Sequence, residues 1–210
     1  MRGVIVLWLA LFVLAEMAGA DVYTVNPEGT GDFPTIQAAV DAAGDGDVIE
    51  LVDGTFTGPG NRDIEIPARI MTIRSQGGIP QNCVIDCQGD PDDQHRGFSF
   101  RTPEIAGTST LEGVTIVNGY HGLGGAIWCE GTSPLIRNCV FSHNAAFCDP
   151  SMAGGAISCD LASPTMIECT FLDNGAVFGG AMICCWGSDP LLERCVFRAN
   201  SATEGGAIYW

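Results

Sequence analysis

The most informative segment of the chain covers residues 154–182, which read GGAISCDLASPTMIECTFLDNGAVFGGAM. It begins and ends with a Gly-Gly-Ala motif, and the chain contains this motif at residues 124, 154, 179 and 205, so the copies are 25–30 residues apart. Each full copy carries the same residue types at the same places, which makes the segment a structural repeat. The repeated positions are Cys129, Cys159 and Cys184, then Cys139, Cys169 and Cys195, then Phe141, Phe171 and Phe197, and finally Asn144, Asn174 and Asn200.

A repeat of about 25 residues is compatible with a leucine-rich repeat, a helical repeat or a β-solenoid. Helical repeats need about 33 or more residues with long 3.6-residue periodicity. The apolar runs of this chain are instead short and alternating, as in Cys139-Val140-Phe141, and a Leu-x-x-Leu-x-Leu pattern is absent. The sequence therefore predicts an all-β fold, a parallel β-helix in which each repeat forms one coil.

Stacked coils would place the repeated residues above one another, about 4.8 Å apart. We expect the Phe residues to form an internal aromatic ladder, and the Asn side chains to hydrogen-bond between adjacent coils. The two Cys columns favour stacks of buried thiols over disulfides, because parallel Cβ directions suit a disulfide poorly. The chain has 10 Cys, and one bridge from Cys148, in the longest repeat, stays open as an alternative.

Three segments divide the chain. Residues 1–20 contain an apolar run and an Ala-Gly-Ala cleavage pattern, and predict a cleaved secretory signal peptide; the run is shorter than the roughly 20 residues of a membrane span. Residues 21–60 predict an N-terminal cap, with a short helix that covers the open end, and the first coils. Residues 61–210 predict the remaining coils and stop inside a repeat, as a truncated array would. We expect a secreted or cell-surface protein without a transmembrane segment in its mature chain.

The chain is strongly acidic, with 25 Asp and Glu against 9 basic residues and a net charge of −16. All the basic residues are Arg, which excludes a P-loop and a Schiff-base lysine in this segment. The acidity argues against nucleic acid as a partner, because phosphate binding needs clustered positive charge. An acidic polysaccharide would need Ca²⁺ to bridge the like charges, and no other cofactor is expected.

Two parts of the sequence resemble known families. Residues 24–43, TVNPEGTGDFPTIQAAVDAA, resemble the N-terminal segment of pectin-lyase-like proteins, which include pectin methylesterases. The Gly-Gly-Ala-Ile and Phe-x-x-Asn pairs resemble the repeats of polymorphic outer-membrane proteins, which are surface adhesins and autotransporter passengers. The first resemblance implies a right-handed parallel β-helix with a short N-terminal cap helix. The second implies an adhesin-like protein associated with the outer membrane.

The enzyme motifs of the pectin-lyase-like group are not matched. The Asp-Phe-Ile-Phe-Gly segment of pectin methylesterases is absent, and Tyr120-His121-Gly122 only partly matches the Gly-His-Gly of polygalacturonases. Arg101-Thr102-Pro103 begins the Arg-x-Pro-x-x-Arg pattern of pectate lyases, but the second Arg is missing. A polysaccharide lyase or hydrolase whose catalytic coil is missing or unrecognised therefore stays as an alternative function.

Exposed aromatic residues are the first candidates for ligand binding. Trp128, Trp186 and Tyr209 are predicted on the outside of the coils, where rings can stack on a sugar or on a protein partner. Trp128 and Tyr209 occupy the same position of the repeat. The alternative is that these rings pack against neighbouring loops.

Charged and imidazole side chains are the second group of candidates. Asp90, Asp92 and Asp93 form the densest acidic cluster, which predicts either a Ca²⁺ site or a solvated turn. The nearest approach to an acid/base set consists of Asp86, His95, Arg96 and Arg101, in which an Arg could clamp a uronate. Nothing in the sequence brings these four together, so ordinary surface-loop residues are the default, and His121 and His143 are expected at hydrogen-bonded corners.

The sequence as a whole favours an exported, adhesin-like β-helix that binds a polysaccharide or a surface protein along the solenoid. A passive spacer is a third possibility. Fold alone does not separate these functions, because one fold can carry many kinds of site.

Overall fold

The computed structural model describes residues 19–101, 108–147 and 153–210. The predicted signal peptide at 1–20 lies outside the described residues apart from Gly19 and Ala20, and so does Cys148. In chain order the secondary structure is β1 (Val22–Val25), α1 (Ile36–Ala42), β2 (Val48–Leu51), β3 (Gly54–Phe56), β4 (Ile64–Ile66), β5 (Thr72–Ser75), a 3₁₀ turn (Pro80–Asn82), β6 (Cys83–Asp86), β7 (Phe98–Phe100), β8 (Thr110–Glu112), β9 (Thr115–Val117), β10 (Ile127–Glu130), β11 (Leu135–Arg137), β12 (Val140–Ser142), β13 (Ala145–Ala146), β14 (Ile157–Asp160), β15 (Thr165–Ile167), β16 (Thr170–Leu172), β17 (Gly175–Phe178), β18 (Met182–Cys185), β19 (Leu191–Glu193), β20 (Val196–Arg198), β21 (Ser201–Glu204) and β22 (Ile208–Tyr209).

These strands form four parallel sheets, of which sheets 1, 2 and 3 run along the solenoid, whereas sheet 4 joins only three strands of the last coils. Sheet 1 has the order β1-β2-β5-β8-β11-β15-β19, sheet 2 β3-β6-β9-β12-β16-β20, sheet 3 β4-β7-β10-β14-β18-β22, and sheet 4 β13-β17-β21. Neighbours in a sheet come from successive coils, so each coil crosses sheet 1, then sheet 2, then sheet 3. The 7 strands of sheet 1 give about seven coils. The predicted all-β right-handed parallel β-helix is confirmed.

The interior consists of stacked apolar columns, because alternate side chains of each strand point inward. The inward side chains of β2, β4 and β6 are buried, while the residues between them are partly or fully exposed. The inward column of sheet 3 contains Ile64, Phe98, Ile127, Ile157, Met182 and Ile208, in register. The residues between these on each strand point away from this inward column, although Ser99, Ser158 and Ile183 among them are buried.

The predicted aromatic positions lie one above another in sheet 2. Phe141 pairs with Phe171, and Phe171 pairs with Phe197, in register. The ring centroids are 5.0 Å apart for the first pair and 4.6 Å apart for the second, and both pairs are stacked. Phe141 and Phe171 are fully buried, whereas Phe197, in the last coil, is partly buried.

The predicted Asn positions form a hydrogen-bonded column at the corner after sheet 2. Nδ2 of Asn144 donates to Oδ1 of Asn174 over 3.1 Å, and Nδ2 of Asn174 donates to Oδ1 of Asn200 over 2.9 Å. Nδ2 of Asn144 and of Asn174 also donates to a backbone carbonyl of the preceding coil. Because Asn144 and Asn174 are buried, these bonds satisfy polar groups that would otherwise be costly to desolvate.

The cysteines of the described residues are all free thiols, and all of them except the half-buried Cys195 are buried. Cys129, Cys159 and Cys184 lie in register on the inward side of sheet 3. Cys139, Cys169 and Cys195 precede β12, β16 and β20, and the thiol of each donates to a carbonyl of the coil below. Burial raises the pKa of the Cys83 thiol to about 12, so this thiol is not poised for thiolate chemistry.

Helix α1 closes the N-terminal end of the solenoid, as predicted. The side chain of Thr35 accepts a hydrogen bond from the Ala38 N–H and caps the helix, while Ile36, Ala39 and Val40 are buried against the first coils. A buried Asn61 on the next coil also accepts from the Ile36 N–H. No helix among the described residues is long and apolar enough to cross a membrane.

Candidate functional site

The outward face of sheet 3 carries one column of side chains that crosses six coils. The register of the strands places these residues in line, in the order Glu65, Ser99, Trp128, Ser158, Ile183 and Tyr209. Trp128 and Tyr209 therefore share a column, as the repeat predicted, and lie three coils apart. Beside this column, Glu130 pairs with Asp160, and Asp160 pairs with Cys185.

A cavity of about 390 Å³ lies at the N-terminal half of this face, where β4, β7 and β10 are adjacent. Its size falls in the range of roughly 300–1,000 Å³ that small-molecule sites occupy. The wall combines acidic, basic and hydroxyl side chains with one indole. The lining residues are Asp63, Glu65, Gln94, His95, Arg96, Ser99, Arg101, His121 and Trp128.

The cavity lies where the chain departs from its repeat. In later coils a Gly-Gly pair precedes the sheet 3 strand, and a Cβ on Gly125 would lie 2.6–2.7 Å from backbone oxygens of its own and the next coil. The register of Phe98 with Ile127 places Arg96 at the position of Gly125, and His95 at that of Gly124. Two large polar side chains therefore occupy a corner that the later coils pack tightly.

Arg96 is the central residue of the cavity, and only 4% of it is exposed. One guanidinium nitrogen contacts the His121 ring, and the guanidinium carbon lies 5.0 Å from the centre of the Trp128 ring. Within the described part of the chain, Nη1 of Arg96 has no hydrogen-bond partner. Burial lowers the pKa of the Arg96 guanidinium to about 10, although the charges of Glu65 and Asp63 act in the opposite direction.

His95 lies beside two carboxylates on the rim of the cavity, and its hydrogen bond is to Asp63. Its Nδ1 lies 2.6 Å from Oδ2 of Asp63, and its Nε2 lies 3.1 Å from Oδ1 of Asp93. The other oxygen of Asp63 accepts a hydrogen bond from the Arg96 N–H over 2.9 Å. Asp63 therefore fixes both the His95 ring and the backbone that carries Arg96.

Trp128 forms the apolar part of the wall and is surrounded by charged groups. The guanidinium of Arg101 lies 4.2 Å from the centre of the indole, within the usual range of a cation–π contact, and its Nε donates to Oε2 of Glu130 over 3.2 Å. The indole N–H donates to Oδ2 of Asp160 over 3.4 Å. Burial raises the pKa of the Asp160 carboxyl, while the bond from Trp128 acts in the opposite direction. These contacts hold the ring in one orientation.

Acidification should destabilise the fold through His121. Burial, and then the charge of Arg96, lowers the pKa of the His121 imidazole to about 4, against about 6.5 in an unfolded chain. Between these values the unfolded chain binds a proton that the folded chain does not, so stability falls as the pH falls. We expect the free energy of unfolding to fall by about 1–2 kcal/mol between about pH 7 and about pH 4.5, a value that allows for the partial solvation of the ring. Urea unfolding at about pH 7 and about pH 4.5 should show a smaller loss for His121→Gln than for wild type; equal losses would contradict this assignment.

The structure brings together three of the four residues considered as an acid/base set. His95, Arg96 and Arg101 line the cavity, whereas Asp86 ends β6 in sheet 2, where its Oδ1 accepts hydrogen bonds from the Asn118 side chain and the Gln88 N–H. The expectation that Arg96 is an ordinary surface-loop residue is wrong. The side chain is buried, because it occupies a corner that lacks the Gly-Gly pair.

Of the other residues noted from the sequence, Trp128 and His121 also line the cavity and Asp93 lies beside His95, whereas the rest lie apart from it. Asp90 Oδ1 accepts hydrogen bonds from the Asp92 and Asp93 N–H groups, which forms a local turn. Across the described ranges, no group of three or more His, Cys, Asp or Glu side chains is arranged to hold a metal ion. Trp186 follows β18 and is 76% exposed, and Tyr209 packs edge-on against Phe178. His143 lies at a corner, with Nδ1 2.6 Å from the Ser142 hydroxyl.

Four of the lining residues, Asp63, Glu65, Gln94 and Ser99, were not among the candidates from the sequence. They belong to the early coils, where the repeat is too loose for equivalent positions to be aligned. When Phe98 is aligned with Ile127, His95 and Arg96 fall where the later coil has Gly124 and Gly125. This absence of a Gly-Gly pair was the sequence feature that could have indicated the site.

The structure is similar to a solved structure described as a crystal structure of pectate lyase Pel9A, with a TM-score of 0.57 and 18% sequence identity. The match covers 86% of this chain and 48% of that chain, so this chain spans about half the length of the protein it matches. No model of a known protein family matches this chain, and no curated protein matches it. At this identity the similarity shows the fold alone, a parallel β-helix like that of pectate lyase.

Proposed function

We propose that this chain is an exported, surface-displayed or secreted β-helix protein that binds a glycan in the cavity around Trp128. The observation that carries the proposal is the Trp128 indole, set in one cavity with the guanidinium groups of Arg96 and Arg101. Sugars present apolar C–H faces and many hydroxyl groups. An aromatic ring surrounded by charged hydrogen-bonding groups is complementary to both features.

The charged residues of the wall suit the recognition of hydroxyl groups. The carboxylates of Asp63 and Glu65 accept hydrogen bonds, and the guanidinium groups of Arg96 and Arg101 donate them. Hydrogen bonds to charged groups are stronger than those between neutral groups. The cavity can therefore bind a hydroxylated ring with several bonds while Trp128 contacts its apolar face.

Export and surface display are supported by the sequence. The Ala-Gly-Ala cleavage pattern before Asp21 favours secretion, and the Gly-Gly-Ala-Ile repeats resemble those of surface adhesins. The acidic charge of −16 makes nucleic acid an unfavourable ligand. The alternative adhesin function is binding of a protein partner on the same face. Binding experiments with glycans and with surface proteins distinguish the two kinds of ligand.

The Trp128→Ala variant should weaken glycan binding at least about tenfold, which corresponds to about 1.4 kcal/mol. The first step is to find a glycan that binds the wild-type mature chain on a glycan array. Calorimetry then compares wild type, Trp128→Ala and the control Leu191→Ala, which changes an exposed residue of sheet 1. Titrations with Ca²⁺ and with excess EDTA test whether the predicted cluster of Asp90, Asp92 and Asp93 makes binding calcium-dependent.

Trp186→Ala provides a separate test of the other predicted tryptophan. If Trp186→Ala abolishes binding while Trp128→Ala retains it, the ligand lies at the corner after β18 and not in the cavity. If no glycan binds and a surface protein does, the glycan proposal is wrong.

A polysaccharide lyase or hydrolase is the second candidate. It is favoured by the lowered pKa of the buried Arg96, which lies beside a His95 that is hydrogen-bonded to Asp63 and lies 3.1 Å from a carboxylate oxygen of Asp93. This alternative predicts new unsaturated or reducing ends when the protein is incubated with acidic and neutral polysaccharides. Their absence, together with saturable binding, supports the binding function.

A further inference from the structure

The predicted cleavage site and the start of the fold lie next to each other. The Ala-Gly-Ala pattern predicts cleavage after Ala20, and β1 begins at Val22. Gly19 and Ala20 are exposed, whereas the Asp21 N–H donates a hydrogen bond to Oδ1 of Asp47 over 2.9 Å. The nitrogen that cleavage would release therefore already lies against a carboxylate.

Asp47 is buried and is fixed by hydrogen bonds on both sides. Its Oδ2 accepts from the Gly44 N–H over 2.7 Å, and its backbone carbonyl accepts from the Thr72 N–H of the next coil. The Asp21 carbonyl accepts from the Val48 N–H, so the pairing of β1 with β2 continues to the two aspartates. The backbone of the first coils thus sets the distance between the Asp21 nitrogen and the Asp47 carboxylate.

The buried carboxylate of Asp47 has no cationic partner. Within the described residues, no arginine or histidine side chain forms an ion pair with it. Arg69 contacts this corner, but its guanidinium donates to the backbone carbonyls of Asp41 and Ala43. Burying a carboxylate is costly unless its charge is compensated, and both bonds to Asp47 come from neutral N–H groups. A cation at the Asp21 nitrogen would supply the missing charge.

We propose that removal of the signal peptide stabilises the N-terminal cap through an ion pair between the new α-ammonium of Asp21 and the carboxylate of Asp47. A signal peptidase hydrolyses the Ala20–Asp21 peptide bond with one water molecule. The water oxygen joins the Ala20 carbonyl carbon to give a carboxylate, and both water protons go to the Asp21 nitrogen, which becomes an ammonium. The neutral hydrogen bond to Asp47 becomes charge-assisted, and such bonds are roughly twice as strong.

The fold therefore reaches its full stability only after export. This inference rests on the export predicted in the proposed function and is independent of the glycan site. It assigns Asp47 as the residue that recognises the mature N-terminus.

The absence of Lys from the chain allows a selective test. In the mature chain, residues 21–210, the α-amine of Asp21 is the only primary amine, so an acetylating reagent converts it to an amide that keeps an N–H and loses the charge. We expect acetylation to lower the equilibrium constant for folding by about fivefold or more, from the difference between a neutral and a charge-assisted hydrogen bond. Urea unfolding of the free and acetylated chains measures this change.

A chain that begins at Gly19 is the control for net charge. It keeps an α-ammonium, but two residues before Asp21, and should be as unstable as the acetylated chain. In Asp47→Asn, acetylation should change the folding equilibrium less than about twofold, because the partner charge is already gone. Asp41→Asn, an exposed position of α1, should keep the full effect. If Asp47→Asn does not fold, the free, acetylated and Gly19 chains still decide.

Equal stability of the free and acetylated mature chains overturns the ion pair, and so does a Gly19 chain as stable as the mature one. The intact mass of the exported protein tests the cleavage itself. Retention of residues 1–20, or a start at a residue other than Asp21, overturns both the predicted cleavage and the ion pair. Absence of glycan binding affects neither, so the failures of the proposed function and of this inference are distinguishable.

Discussion

Replacing Phe171 with alanine should lower the free energy of unfolding by about 3–5 kcal/mol. The ring is fully buried in the middle of the aromatic ladder, with its centroid 5.0 Å from that of Phe141 and 4.6 Å from that of Phe197. Alanine removes both stacking contacts and leaves a cavity between coils that the backbone cannot close, because strand pairing holds the coils at a fixed separation. Urea unfolding followed by circular dichroism measures the loss. In thermal melts it corresponds to a shift of roughly 6–20 °C.

Phe197→Ala is the matched control for this variant. The ring of Phe197 belongs to the same column but lies in the last coil and is only partly buried. Phe197→Ala should lower the free energy of unfolding by clearly less than Phe171→Ala does, because part of the Phe197 ring is already in contact with water. A Phe171→Ala protein as stable as wild type, or two variants with equal losses, would show that the ladder does not form the core.

Gly155→Ala should destabilise the protein by about 3 kcal/mol or more, although it adds a single methyl group. A Cβ at this position would lie 2.2 Å from the carbonyl oxygen of Gly180 and 2.7 Å from that of Gly175. Both atoms belong to the backbone of the next coil, so no side-chain rotation can relieve the overlap. The two coils would have to separate and break the ladder in which the Gly155 N–H donates to Gly179.

Gly44→Ala is the control for the glycine substitution. The nearest atom to a Cβ there is the Asp47 side-chain oxygen, at an ordinary contact distance of 3.5 Å. We expect the free energy of unfolding of Gly44→Ala to differ from that of wild type by less than about 1 kcal/mol. The reduced conformational entropy of the unfolded chain contributes in the stabilising direction. If Gly155→Ala were equally harmless, the close packing of the Gly-Gly corners would be contradicted.

The fold was predictable because each coil repeats the same physical requirements. Phe141, Phe171 and Phe197 share one column, and Asn144, Asn174 and Asn200 share another, so sequence spacing alone determined which residues stack. The cap helix was predictable from the helical spacing of Ile36, Ala39 and Val40. The early coils were less predictable, because they keep the alternation of apolar residues and lose the Gly-Gly-Ala and Pro landmarks.

The site was only partly predictable, because it lies where the repeat breaks. Trp128 was identified from its outward position in a regular coil. Arg96 was among the residues noted, but its burial depends on a corner geometry that no spacing indicates. Asp63 comes from a coil 33 residues earlier, and only the pairing of β4 with β7 brings it to His95 and Arg96.

The cavity and the buried Arg96 are features of the same corner. The Gly-Gly pairs bring the later coils close together, whereas the corner at His95 and Arg96 has no such pair and contains the cavity and the buried guanidinium. The proposed glycan binding thus depends on a corner of the early coils, where the repeat is irregular, as is expected when local regularity is given up at a functional site.

The most direct test of a glycan site around Trp128 is a crystal structure of the mature chain with its best-binding oligosaccharide. We predict a sugar ring within about 4 Å of the Trp128 indole, with its hydroxyl groups hydrogen-bonded to polar side chains of the cavity wall. An ordered oligosaccharide bound elsewhere, such as beside Trp186, with the cavity between β4, β7 and β10 empty, would contradict the proposed site.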